Sequence, residues 1–101
     1  MSYTYRLHPD AYKDYSEAYT WYENRQPELG ERFLKAVRNK IEKIILTPKA
    51  YGHQSNKTFR EAKIEFFPYV IVYKIRNQSQ EIFISSIHHT KKHPRKKYRK
   101  E

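Results

Sequence analysis

Between Phe66 and Ile75 the chain reads FFPYVIVYKI, and this stretch decides the fold. Pro68 cannot enter a helix interior, and the residues after it are β-branched or aromatic, the side chains that suit a pleated strand. Their alternation places Tyr69, Ile71, Tyr73 and Ile75 on one face and Val70, Val72 and Lys74 on the other. The odd-numbered face is the better apolar surface for packing. Lys74 falls on the face expected to be less covered, where it can reach solvent or a ligand. The polar turn RNQSQ (76–80) leads to a second strand, EIFISSI (81–87), and TFREAKI (58–64) supplies a third upstream.

The pattern changes toward the N-terminus. YTYRLHP (3–9) reads as a short first strand ended by Pro9. In PDAYKDYSEAYTWYENRQP (9–27) Ala11, Tyr15, Ala18 and Tyr22 recur at helical spacing, and Pro27 lies beyond the end. ELGERFLKAVRNKIEKIILTP (28–48) carries a stronger stripe of Leu29, Phe33, Val37, Ile41 and Ile44, stopped by Pro48. The few residues around Pro27 predict an antiparallel helical hairpin. The order β-α-α-β-β-β then predicts an α+β fold: one mainly antiparallel four-stranded sheet with the hairpin packed on one face.

A chain of 101 residues has room for one core, so residues 1–101 are expected to form a single domain with a basic C-terminal segment at 91–101. The absence of cysteine excludes disulfides and thiolate chemistry. The sequence contains no apolar run of membrane-spanning length and no hydrophobic signal core, so a soluble cytoplasmic protein without a membrane role is expected. The formal net charge is +10. Residues 1–50 have nine basic and seven acidic side chains, and residues 51–101 twelve and four, so the second half is the expected interaction half. Such a field draws in nucleic acid or an acidic protein without choosing between them.

Several side chains in that half suit phosphate chemistry. Metal-independent RNA cleavage needs a base at the 2′-hydroxyl, cations around the phosphoryl oxygens and an acid for the leaving oxygen. Arg60 and Lys63 on a predicted strand, then His88, His89, Lys91, Lys92, His93 and Tyr98, form such an inventory. The spacing HHxxxH superficially suggests a metal site, but the surrounding lysines disfavour a further cation. No metal and no cofactor are expected. The tyrosines Tyr3, Tyr5, Tyr19 and Tyr22, with Trp21, are assigned to core and rim packing.

The succession HPDAYKDY, LGERFLKAVRNKIEKIILTP, YG, FREAKIEFFPYVIVYKI and IFISSIHHTKKHP resembles the RelE/ParE toxins of bacterial type II toxin–antitoxin modules, which include plasmid stabilisation proteins. The FPY-plus-strand phrase and the ending HTKKHP, with His89, Lys91, Lys92 and Pro94 on motif positions, carry the likeness. The resemblance implies a growth-inhibiting toxin held inactive by a cognate acidic antitoxin in a hetero-oligomer. It also implies one of two targets: DNA gyrase for ParE-like members, or messenger RNA in the translating ribosome for RelE-like endoribonucleases.

Carried over residue by residue, the RNA-cleaving pattern is incomplete. Val70 stands where those relatives have an arginine, Glu61 where a lysine is expected, and Lys91 where an arginine clamps phosphate with two bonds. If the chain is a ribonuclease, His89, Lys91, Lys63 and Tyr98 are its catalytic residues. Arg60, Lys74, His88, Lys92, His93 and Arg95 are expected to contact the target or the antitoxin. The incomplete set favours gyrase, with ribosome-dependent cleavage and a non-toxic antitoxin-binding descendant as alternatives.

Overall fold

The structure is a computed structural model describing residues 3–93 and 97–101. Pro94 and Arg95 therefore lie outside the described residues. The order of elements is β1 (Thr4–Leu7), α1 (Pro9–Arg25), α2 (Leu29–Leu46), β2 (His53–Gln54), β3 (Arg60–Lys63), β4 (Tyr69–Arg76) and β5 (Glu81–His89). They form one sheet in the order β1-β5-β4-β3-β2. All neighbours are antiparallel except β1, which runs parallel to β5.

The expectation of four strands is corrected to five. The additional strand is the two-residue β2, which pairs with Arg60 and Glu61. A two-residue strand is too short to show any alternation in sequence. Gly52, just before it, permits the approach: a Cβ there would meet the Tyr73 hydroxyl at 2.5 Å and the Glu61 carbonyl at 3.0 Å.

The helical hairpin forms where local chemistry directs it. The His8 side chain accepts from the backbone N–H of Asp10, Pro9 occupies the first turn, and Arg25 lies in the last turn of α1, favourable for the helix dipole. α2 has no cap from its own N-cap residue. Instead the Glu23 carboxylate of α1 accepts from Glu28 N–H at 3.1 Å and Gly30 N–H at 3.0 Å. A Cβ at Gly30 would lie 2.8 Å from that carboxylate and 2.9 Å from the Tyr19 carbonyl, so glycine is what lets the helices close this tightly.

The predicted α2 stripe is the buried one: Phe33, Val37, Ile41 and Ile44 pack with Tyr69, Ile71, Tyr73 and Ile75 of β4. Each such aliphatic or aromatic burial contributes roughly 1.5–3 kcal/mol. Phe33 sits at the centre, with Tyr22, Phe67 and Tyr69 rings 5.1–5.3 Å away. In β5 the inward isoleucines fall at 82, 84 and 87, one residue out of phase. A bulge at Ser85 absorbs the extra residue: Val72 pairs with Ser86 and Tyr73 with Ile84.

The other sheet face is also covered. Phe59, Val70 and Val72 are buried there, and the Tyr98 ring lies against them. The C-terminal segment is thus not a free basic arm over residues 97–101. Ser85 and Ser86 donate their hydroxyls to the Lys97 carbonyl at 2.6 and 3.0 Å, and Ser85 Oγ accepts from Arg99 N–H. Glu101 is held by Lys74 at 2.7 Å, Arg6 at 2.6 Å and Arg76.

Candidate functional site

The register sorts the predicted site residues by face, because directly paired residues project the same way and the sense alternates along each strand. Lys63 pairs with Val70, and Val70 with His88, so these three share the face covered by the C-terminal segment. Tyr98 lies on that face as well. Tyr69 pairs with His89, and both belong to the helix-bearing face, where their rings meet edge-on at 5.0 Å. The sheet therefore separates His89 from Lys63 and Tyr98.

Tyr98 is anchored. Its ring lies 5.2 Å from Phe59, and its hydroxyl donates to Glu61 Oε2 at 2.8 Å. Lys97 Nζ reaches the same oxygen at 2.7 Å. Burial pushes the Glu61 pKa up, but the bonds from Lys97 and Tyr98 outweigh it and the net shift is downward. Glu61, which stands where the resemblance leads one to expect a lysine, is the neutralised centre of this anchor.

Among the described residues Arg60 has no carboxylate partner. Its guanidinium donates to the carbonyls of Lys49, at 2.9 Å, and Gly52, and to Gln54 Oε1, while its Nε is buried without a partner. It tethers the 49–54 segment to β3. Lys74, expected to reach solvent or a ligand, is paired with Glu101 and lies over the Phe83 ring. Lys63 remains exposed.

A groove of about 1370 Å³ opens between α1 and the exit of β5. It gathers His88, His89, Lys91, Lys92 and His93 against Asp10, Asp14, Glu17 and Trp21 of α1. The turn after β5 is constrained: His89 Nδ1 accepts from Lys91 N–H at 3.1 Å, and Lys92 N–H donates to the His89 carbonyl at 3.0 Å. His88 is buried, its ring 3.2 Å from the Lys92 carbonyl, and burial holds its pKa below the ordinary histidine value. Burial, with Tyr22 and Asp14 nearby, pushes the Tyr69 phenol up to about 12, so it stays protonated. Lys91 and Lys92 are exposed on the rim.

Two residues absent from the sequence inventory complete this site. Arg99 forms a paired contact with Asp14, at 2.8 and 3.2 Å, and also donates to the Ser85 carbonyl. Asp14 Oδ2 in turn accepts from the backbone N–H of Ile87 at 3.2 Å. In sequence Asp14 reads as a solvated helix charge and Arg99 as one of many tail cations. The two are 85 positions apart, and nothing local marks them as partners.

The arrangement offers a cation-rimmed groove with one acidic wall, suited to a polypeptide or another mixed polar surface. Among the described residues, His89, Lys63 and Tyr98 are not gathered around one point where a phosphate would sit. Comparison with known proteins is consistent with this architecture. Residues 5–94 match the family model described as the ParE toxin of the type II toxin–antitoxin system parDE. No curated protein matches the chain. Among solved structures, a chain from the chromosomal ParDE toxin–antitoxin system of P. aeruginosa is 19% identical with a TM-score of 0.65, covering 89% of this chain and 98% of that one. A doubly substituted E. coli RelE toxin in the free state is 15% identical with a TM-score of 0.64, covering 90% and 86%. At these identities the two structures share the fold. The family model spans nearly the whole sequence, and the chain belongs to the ParE toxin family of type II toxin–antitoxin systems.

Proposed function

We propose that the chain inhibits growth by binding DNA gyrase, without cleaving RNA, and that an acidic antitoxin neutralises it. The observation that carries this reading is the division of the ribonuclease candidates between two sheet faces: His89 on the helix side, Lys63 and Tyr98 on the other. General acid–base catalysis requires its groups within hydrogen-bond reach of one reacting centre, directly or through one water. Tyr98 is in addition committed to Glu61, and Val70 offers no charge between Lys63 and His88. Lys91 and Lys92, exposed on a constrained turn, are the proposed target contacts, with Arg95 and His93 beside them in sequence. The test compares purified protein in a gyrase supercoiling assay and in a translating-ribosome assay with message cleavage mapped by primer extension. Inhibition of supercoiling with intact message is expected. Codon-linked cleavage with unaffected gyrase overturns the choice of target.

A further inference from the structure

On the sheet face opposite the helices, the register gathers cations beside the turn that joins β4 to β5. Arg6 pairs with Phe83 and Phe83 with Lys74, so these three form one row across β1, β5 and β4. Two residues further along β4, Arg76 projects to the same face, paired with Glu81. The Arg6 guanidinium and the Lys74 ammonium both lie over the Phe83 ring, 5.1 and 5.7 Å from its centre. The three cations converge on one carboxylate: Glu101 is met by Arg6 at 2.6 Å, by Lys74 at 2.7 Å and by Arg76. Strand pairing and the Phe83 ring position these cations, and the C-terminal segment arrives on top of them.

Glu101 can leave without unfastening that segment. Tyr98 is tied to Glu61 and Arg99 to Asp14 upstream of it, whereas the Glu101 contacts are partly exposed ion pairs, which hold weakly in water. Among the described residues Glu81 is the other carboxylate of the cluster, 3.5 Å from Arg6 and 3.9 Å from Arg76. With Glu101 swung away, three cations against Glu81 leave a surplus of two positive charges. A phosphate monoester carries about −1.5 to −2 at pH 7. Arginine forks match its paired oxygens, and lysine adds a point charge. The same field holds the Glu101 carboxyl down at about 2, chiefly through the Lys74 bond. Arg76 also lines a recess of about 330 Å³ with Asn77, Gln78 and Ser79, whose amides and hydroxyl supply further donors. β1 steadies this turn: Thr4 N–H donates to the Gln80 carbonyl at 3.0 Å, and the Tyr3 hydroxyl donates to Asn77 Oδ1 at 3.4 Å.

We infer that Arg6, Lys74 and Arg76 form a binding site for a phosphate group, free or as a small phosphomonoester, which enters by displacing the Glu101 carboxylate. Glu101 is an internal competitor that fills the site while no phosphate is bound. The two guanidinium groups clasp the phosphate from β1 and β4, Lys74 neutralises it above Phe83, and the remainder of an ester lies in the recess beside Arg76. The site sits where β5 begins, at Glu81, and the Lys91–Lys92 turn follows its other end, at His89. It therefore stands apart from the gyrase reading.

The isotopically labelled full chain is titrated with sodium phosphate and, separately, with glycerol phosphate, each against sodium chloride at matched ionic strength. Backbone amide and arginine Nε–H shifts are followed by nuclear magnetic resonance. Saturable shifts are expected at the Arg6 and Arg76 side chains and at the Glu101 amide with both phosphates, and none with chloride. Glu101→Gln removes the competitor and should tighten phosphate binding at least about fivefold, while Arg76→Gln should weaken it by a similar factor, in variants whose spectra show the wild-type fold. A cluster that serves only to fasten the segment gives no saturable shift in the wild type or in Glu101→Gln, and that result overturns the site. Shifts reproduced by chloride overturn it as well. Binding that Glu101→Gln leaves unchanged overturns the displacement. Tighter binding of glycerol phosphate, with added shifts at Asn77–Ser79, assigns the site to an ester; equal binding without those shifts assigns it to free phosphate.

Discussion

Replacing Tyr98 by phenylalanine removes one oxygen and separates a structural anchor from a catalytic acid. The lost bond is the 2.8 Å contact to Glu61 Oε2. A hydrogen bond to a charged group contributes about 1.5–3 kcal/mol. Here Lys97 stays at 2.7 Å from the same oxygen and the tyrosine is half-buried, so the expected loss is about 1 kcal/mol. For a domain of this size that lowers the melting temperature by about 4–8 °C. Alanine at the same position also removes the ring from Phe59, Val70 and Val72. If about half of the ring's 150–250 Å² is withdrawn from water, the further cost is about 2–3 kcal/mol at 25 cal/mol per Å². Urea unfolding followed by circular dichroism measures both. A cycle combining Tyr98→Phe with Glu61→Gln should show a coupling of about 1 kcal/mol, since the two groups share a bond. A Tyr98→Phe protein as stable as the wild type, with coupling near zero and growth inhibition abolished, refutes the anchor and restores Tyr98 to chemistry.

Gly30→Ala should destabilise the hairpin by about 1–3 kcal/mol in the same unfolding assay, because the new methyl meets the Tyr19 carbonyl and the capping carboxylate of Glu23. Acid should weaken the fold in two stages, read from thermal melts against pH. His88 is held below its ordinary value of 6.5 by burial, so its contribution is present above 6.5 and is lost as pH falls through its folded value. Glu101 is brought from 4.5 to about 2 chiefly by its bond to Lys74, against burial and with help from Arg6, so its contribution persists above 4.5 and disappears toward pH 2. Glu101→Gln should weaken that second stage and leave the first unchanged, the remainder coming from Glu61, which Lys97 and Tyr98 also hold below its ordinary value. Raising salt should slow association with an acidic antitoxin more than it speeds dissociation, measured by stopped flow, since rim charges act mainly on encounter; an association rate indifferent to salt contradicts steering by the +10 field.

The elements with strong periodicity were legible. The α2 stripe and the odd face of β4 are the two halves of one core, and both could be read from spacing alone. The phase slip of Ile82, Ile84 and Ile87 also stood in the sequence, yet it acquires meaning only when a bulge at Ser85 is set opposite Val72 and Tyr73. β2 was illegible because its pairing depends on Gly52 and on Arg60 gripping two distant carbonyls. The site was less legible than the fold. Lys74, Arg60 and Tyr98 share the residue types of phosphate chemistry, but their partners are Glu101, backbone carbonyls and Glu61, and those pairings are set by how the C-terminal segment and the 49–54 loop return to the sheet. Composition reports the charge of a side chain and not what neutralises it. The five-residue course of 97–101 across the sheet has no apolar pattern beyond Tyr98, so its return to the sheet could not be read from spacing.

The most direct test of the central claim is supercoiling by purified gyrase, resolved on topology gels, with wild-type protein and a folded Lys91→Ala, Lys92→Ala variant, alongside His89→Ala. The account predicts inhibition by the wild type, marked loss of inhibition in the double variant, and a smaller effect of His89→Ala, because exposed cations and not a general base make the contact. Full supercoiling activity in the presence of wild-type protein that still binds its antitoxin would contradict it.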